Sequence, residues 1–475
     1  MLTLLLACAA DPALTCGPGT LRLGDVCVPE TPAVDDSGAP EPDDTAPDDT
    51  SADDTSPVDT APGEDTGAVP PIEVYLLAGQ SNMDGYAYQS GLPPAWKVAE
   101  PGVSIYWSGW GELRALAPAS AGGSPYVGPE VSMGHTFLAE GRRVVLVKHA
   151  VSGTDLATFW YPGIYDGDPS AGEGWLGLVD TVRGATAALD AAGEPWRWAG
   201  MAWMQGESDA VYEWSASTYA DNLALFVDRV REETGEAALP VAVGLIACDG
   251  LCVYVDTVRA AQEAVAAADP AVITFETRDL PRNYFDPWHY DGPANRVLGQ
   301  RFAQALMGAP LEPALTPALE VDGYAMDFDG SYTVGWTFTL DRAITVTDLG
   351  AFTPPGSFLW TDTEVGIWDA DTQALLVRDD VPSRYQAPAS YREGFWYAAI
   401  DPVSLPPGRY AIGLVAWQGD VDRYANACTV TAGAGLTLEA GAYHEGYWLA
   451  YPEQRVAFED GGVSFLGPSF LYVEG

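Results

Sequence analysis

At 475 residues the chain exceeds one ordinary domain, so two folded units and a tail are expected. Its 22 basic against 67 acidic side chains leave a formal charge of −45, which repels phosphate backbones and anionic membrane surfaces and argues against nucleic-acid binding, while neutral polymers such as glycans stay open. Hydrophobic residues make up 47% and include 16 Trp, enough for a sizeable core, yet no apolar run is long enough to span a bilayer.

The first eight residues, M-L-T-L-L-L-A-C, combine an apolar start with a small residue before Cys8. They resemble a bacterial lipoprotein signal, which implies cleavage before Cys8 and acylation of its thiol, although a basic leading segment is missing. The alternative is an ordinary apolar N-terminus. Residues 9–28 form a short segment in which Cys16 and Cys27 bracket Gly and Pro residues, and Cys248 and Cys252 bracket a D-G-L loop further on. Both pairs could close small disulfides, a pattern that suits an exported protein. Reduced thiols, or a metal site lacking nearby third and fourth ligands, are the alternatives. Residues 29–70 consist mainly of Pro, Thr, Ser, Ala and Asp, with D-D-T units at Asp43, Asp48 and Asp53 and no basic residue. Such a segment buries too little apolar surface to offset its ordering entropy, and reads as an extended tether; calcium binding by the Asp pairs lacks the fixed spacing an ordered site needs.

From residue 71 to 308 strands and helices alternate. The apolar run I-E-V-Y-L-L-A at 72–78 predicts a buried strand that ends in the tight turn Gly79-Gln80-Ser81-Asn82-Met83, and further strands are expected at 143–150, 197–204, 240–247 and 271–276. Tyr219, Leu223, Phe226, Val227 and Val230 recur at helical spacing opposite Asp221, Asp228, Arg231 and Glu232; Val258, Ala261, Val265 and Ala268 mark a second helix, and Val297, Phe302 and Leu306 a third. This alternation predicts an α/β fold, a parallel sheet with helices on both faces. From 311 to 475 the texture changes to short strands with Pro/Gly turns, at 333–340, 364–368, 395–400 and 409–416, which predicts an all-β sandwich or jelly roll serving as an accessory unit.

In open α/β sheets reacting groups gather beyond the carboxyl ends of the strands, where the turn after 72–78 would deliver Ser81. A Ser that merely caps the next helix is the alternative. Asp286-Pro287-Trp288-His289 lets one loop present a base and its orienting carboxylate, Asp286 facing Nδ1 while Nε2 faces the nucleophile. Of the four histidines, at 135, 149, 289 and 444, His289 is the best placed on position alone, the alternative being that D-x-x-H is an ordinary surface loop. Two further strand ends, Ser152-Gly153-Thr154-Asp155 and Trp203-Met204-Gln205-Gly206-Glu207-Ser208-Asp209, offer donors for an oxyanion: the N–H of Gly153 and the side-chain amide of Gln205, joined by the N–H of Ser81. Taken singly, a turn glycine and a surface or capping amide are the plainer readings of Gly153 and Gln205.

Together, G-Q-S-N-M after a strand, S-G-T-D-L, W-M-Q-G-E-S-D, and D-P-W-H followed by Gly299-Gln300-Arg301 resemble the ordered blocks of SGNH/GDSL-type hydrolases, most of all the branch of sialate O-acetylesterases and related carbohydrate acetyl esterases. The resemblance covers roughly 71–308. It implies a three-layer, flavodoxin-like sheet, with Ser81 as nucleophile, His289 as base, Asp286 as its orienter, Gly153 and Gln205 as oxyanion donors, and Glu207 and Asp209 as structural support. Family members often read G-G-T where this chain has Ser152-Gly153-Thr154. The expected protein is a secreted or surface-tethered serine esterase that removes O-acetyl groups from carbohydrates, whether sialic acid or a plant or bacterial polysaccharide. It would use an acetyl-enzyme intermediate and no metal or other cofactor, touch a membrane only through an N-terminal lipid, and offer a C-terminal unit able to bind glycans. A lipase or thioesterase on the same scaffold and a non-catalytic glycan-binding surface lipoprotein are the alternatives. Because the β-unit carries none of the assigned residues, residues 71–308 alone are expected to hydrolyse a small acetyl ester as fast as the whole chain.

Overall fold

The computed structural model describes residues 20–23, 26–29, 70–118, 126–325, 331–353, 358–384, 389–392, 394–417, 426–457 and 466–474. The chain divides into two units, 1–67 and 68–475. In the first, Thr20–Leu23 pairs antiparallel with Val26–Pro29. The expected lipidation of Cys8, the pairing of Cys16 with Cys27 and residues 30–69 of the tether lie outside the described residues.

The second unit is built around β1 (Ile72–Gly79), whose residues Val74 to Ala78 are all buried because neighbours cover both of its faces. It is followed by β2 (Glu100–Trp107), β3 (Leu113–Leu116), β4 (Val144–Ala150), β5 (Trp196–Met204), β6 (Val241–Gly244) and β7 (Val272–Phe275). These form one sheet in the order β7-β6-β5-β1-β4-β2-β3, parallel throughout except for the antiparallel edge strand β3. The helices that frame the sheet and the site are α1 (Ser81–Asp84), α2 (Glu130–Ala139), α3 (Glu173–Ala192), α4 (Tyr219–Thr234), α5 (Val255–Ala268) and α6 (Gly292–Met307). They lie on both sides of the sheet, α2 packing on α6 and α4 on α5. The face of α4 expected to be apolar, Tyr219, Leu223, Phe226, Val227 and Val230, is the buried one, and Gly235 ends the helix in the left-handed region at φ 73°. Asp291 starts α6 by accepting from the Ala294 N–H at 2.8 Å. Helix α3, strand β2 and the edge strand β3 were not expected from the sequence.

Beyond residue 311 the chain is antiparallel. A five-stranded sheet holds Thr316–Pro317, Pro468–Glu474, Ile344–Phe352, Phe395–Leu405 and Ser390–Arg392 in that order, and a six-stranded sheet is centred on Gly408–Ala416 and Tyr332–Leu340. Trp336, Phe338 and Phe470 fill the space between the sheets, so this Trp is core. Cys248 and Cys252, both buried, are joined in a disulfide. Among the described residues no helix is long and apolar enough to cross a membrane.

Candidate active site

Strand β1 ends where β5 presses against it: Gly79 has φ 146°, and a Cβ there would stand 2.1 Å from the Met204 carbonyl oxygen. Only glycine fits both that conformation and that approach. The Gln80 N–H donates to Met204 O at 2.9 Å, and the chain then enters α1 with Ser81 in its first turn. Gln80 Oε1 accepts from the N–H groups of Gly206 (3.3 Å) and Ser208 (3.2 Å), which stitches the turn after β1 to the turn after β5. On the other side the Val151 N–H donates to Gly79 O at 3.0 Å, and Gly153 takes φ 71° in the turn after β4. Three strand ends thereby bring Ser81, Ser152, Gly153 and Glu207 to one pocket of about 340 Å³, which Tyr86, Trp288 and His289 complete.

Asp286 and His289 come from a hairpin of β8 (Arg282–Asn283) and β9 (Asp286–Tyr290). His289 Nδ1 lies 2.6 Å from Asp286 Oδ2, and the His289 ring stacks on Tyr86 at 4.6 Å and 14°. The hairpin is tied to the nucleophile turn by Asn82. Its Nδ2 donates to Trp288 O (3.2 Å) and to Glu207 Oε1 (2.7 Å), and its Oδ1 accepts from the Tyr290 N–H (3.2 Å). The residue beside Ser81 therefore sets the height of the imidazole above it. Asn82, Gln80 and Tyr86 were missed as working residues by the sequence reading. Gln80 and Asn82 sat inside the quoted G-Q-S-N-M motif, and that was the available signal; Tyr86 had none.

The other histidines serve elsewhere. His135 stacks flat on Trp96 (4.5 Å, 5°), His444 pairs with Glu453 (2.7 Å), and His149, edge-on to Trp160, is pushed down to a pKa of about 4 by burial. Glu207 keeps Oε2 buried without a partner among the described residues, and burial holds its carboxyl above the usual range. Asp209 lies behind the pocket wall, accepting from the N–H groups of Leu156 (2.8 Å) and Ala157 (3.2 Å). Ser152 Oγ donates to Asp84 Oδ2 at 2.8 Å.

Gln205, expected as an oxyanion donor through its side chain, is engaged by other partners in the structure. Its side chain is fully buried and does not line the pocket; Nε2 donates to Asp209 Oδ2 (2.6 Å), Thr154 O (3.0 Å) and Gln80 Oε1 (3.3 Å), while Oε1 accepts from the Tyr219 hydroxyl (3.1 Å). The reason is that β5 turns sharply at Gly206, φ 140°, and leaves Gln205 facing the inner network instead of the turn's outer surface. Ser81, Gly153, Asp286 and His289 are brought together; Gln205 is not.

The family model described as carbohydrate esterase, sialic acid-specific acetylesterase, matches residues 71–308. Comparison with curated proteins finds no match. Among solved structures, a protein from Arabidopsis thaliana is 21% identical with a TM-score of 0.42, covering 50% of this chain and 99% of its own. A carbohydrate acetylesterase from Xanthomonas citri is 17% identical with a TM-score of 0.39, covering 83% and 79%, and NanS is 15% identical with a TM-score of 0.39, covering 50% and 98%.

Proposed function

The chain belongs to the carbohydrate esterase family of sialic acid-specific acetylesterases, carboxylic ester hydrolases that deacetylate carbohydrates, and from that premise we propose a serine mechanism run by Ser81, His289 and Asp286. Ser81 Oγ attacks the acetyl carbonyl as His289 Nε2 takes its proton, and Asp286 holds the imidazole through Nδ1 and stabilises the imidazolium. The backbone N–H groups of Ser81 and Gly153, at the mouth of the same pocket, receive the developing oxyanion. The proton on His289 then goes to the departing sugar oxygen, leaving Ser81 acetylated. Water activated by the same imidazole releases acetate and restores the enzyme. The observation that carries this reading is the 2.6 Å contact between His289 Nδ1 and Asp286 Oδ2 in the pocket that Ser81 lines. The lipoprotein-like start and acidic tether fit an enzyme held outside the cytoplasm, and the exposed aromatics Trp417, Tyr447 and Trp448 of the β-region fit contact with a glycan.

The charge of the site bears on which carbohydrate is used. Among the described residues no lysine or arginine lines the pocket, whereas Glu207 does, and the chain as a whole carries −45. A sugar bearing its own carboxylate would meet Glu207 and no basic side chain on the pocket wall, so an acetylated neutral saccharide is the preferred substrate. The test is hydrolysis by wild type and Ser81→Ala of p-nitrophenyl acetate, an acetylated neutral xylo-oligosaccharide, an O-acetyl sialate and the methyl ester of that sialate. Loss of all activity in Ser81→Ala, with labelling of wild type by a serine-directed phosphonate, is expected. Full activity in Ser81→Ala would end the serine mechanism, and preference for the free sialate over its neutral methyl ester would end the neutral-sugar assignment alone.

A further inference from the structure

The hairpin that carries Asp286 and His289 is short, and an isolated two-stranded hairpin is marginal in water. Its esterase-side ties run through Asn82 and through the Tyr290 hydroxyl, which donates to Thr277 Oγ1 at 2.7 Å. Its other side rests on the antiparallel region. At the tip, the Phe285 ring stacks on Phe358 (5.1 Å, 20°) and on Trp396 (5.9 Å, 16°), and Tyr284 meets Tyr391 edge-on at 5.0 Å. At the base, Asp291 receives the guanidinium of Arg392 through Nε (2.5 Å) and Nη2 (2.6 Å), and Ser390 Oγ accepts from the Gly292 N–H at 3.0 Å. Asp291 is nearly fully buried and also caps α6, so the Arg392 fork fixes the direction in which the chain leaves β9. A reciprocal pair, Arg296 of α6 with buried Asp348 at 2.6 Å, locks α6 to the same antiparallel sheet.

We propose that the antiparallel region is a positioning element of the catalytic apparatus, holding the Asp286/His289 hairpin at both ends through Phe285 and Arg392. The inference rests on the assignment of Asp286 and His289 to the reaction. It replaces the expectation of a dispensable accessory unit. Phe285 directly precedes Asp286, so a tip that loses its aromatic seat lets the carboxylate drift from His289 Nδ1. Misplacement by about 1 Å costs on the order of 100-fold in rate, so a loss of about 10- to 100-fold in kcat is expected for Phe285→Ala. KM for a small ester should stay near wild type, since Phe285 does not line the pocket.

The experiment measures kcat and KM on p-nitrophenyl acetate for the full chain as wild type, Phe285→Ala, Asp286→Asn and the double variant, well below the temperature at which any of them begins to unfold. Arg392→Lys, which keeps the charge and loses the fork, is a fifth arm. If Phe285 acts through Asp286, the double variant is no slower than Asp286→Asn, whereas a general packing defect multiplies the two losses. Losses that multiply, or a wild-type kcat in Phe285→Ala beside a crippled Asp286→Asn, would overturn the positioning role. A fully active Asp286→Asn would instead remove the catalytic assignment beneath it. Phe285 is half-exposed and its truncation leaves no buried charge unpaired, so the Phe285→Ala arm stands even where Arg392→Lys fails to fold.

Discussion

Replacing Gln205 by Ala separates two roles that predict different observables. In the structure the two N–H bonds of the amide are shared among the Asp209 carboxylate, which has two further donors, Thr154 O and, at the longest distance, Gln80 Oε1, and the amide oxygen accepts from Tyr219. Gln80 Oε1 keeps the Gly206 and Ser208 N–H groups, and the Tyr219 hydroxyl keeps its 2.8 Å bond to Gln205 O, so the main losses fall on Thr154 O and Asp209. A lost bond to a buried carboxylate costs about 1.5–3 kcal/mol and a buried carbonyl left short about 1–3 kcal/mol, so stability should fall by roughly 3–5 kcal/mol. A side-chain oxyanion donor would instead cost about 10²- to 10³-fold in kcat with little change in stability. Urea unfolding followed by tryptophan fluorescence, together with kcat on p-nitrophenyl acetate at low urea, reads both quantities. The expected result is a clear fall in the unfolding midpoint with kcat within about tenfold of wild type. An unchanged midpoint with kcat down 100-fold or more would refute the reasoning and put the Gln205 amide at the oxyanion in the working enzyme.

Lys148→Met should destabilise the protein by about 3–5 kcal/mol, because Lys148 Nζ is buried between Glu130 Oε2 (2.7 Å) and Asp84 O (2.8 Å) and its loss strands the Glu130 carboxylate. Adding Glu130→Gln should recover part of that loss in the same unfolding assay, and no recovery would show that the pair does not act as a unit. Burial raises the Asp209 pKa to about 6 from 3.8, so between those values the folded state holds a proton that the unfolded state has released. Its contribution to stability is therefore complete below about pH 4 and lost as pH rises through about 6. Comparing unfolding midpoints at pH 4 and pH 7 should show a fall in wild type that is smaller in Asp209→Asn; equal falls would mean that another group titrates.

The sequence by itself determined the parts of this protein that depend on neighbours along the chain. The strand-to-turn break at Gly79 and Ser81, the buried face of α4 and the change to antiparallel texture beyond residue 311 all follow from period, turn residues and composition, which are local properties. Strand β2 escaped because Pro101 and Gly102 sit at its start and break the alternation that marks a strand. Helix α3 escaped although Trp175, Leu178, Val179, Val182, Ala185 and Leu189 are buried on one face, since its glycines at 174, 177 and 184 weaken the helical signal. Those glycines are needed in the folded state: a Cβ at Gly177 would meet the His149 ring at 2.7 Å, and one at Gly184 the Tyr106 hydroxyl at 2.3 Å. What only the tertiary structure decided is which groups at the strand ends face the pocket and which face inward. Gln205 and Gly153 occupy similar positions in sequence, yet the turn at Gly206 carries the Gln205 amide into a network with Asp209 and Tyr219. The seat of the catalytic hairpin was equally hidden, because Asn82 reaches Tyr290 across 208 positions and Arg392 reaches Asp291 across 101. Contacts at such separations leave no periodic trace in a single sequence, because they exist only once the sheet and the antiparallel region have brought distant segments together.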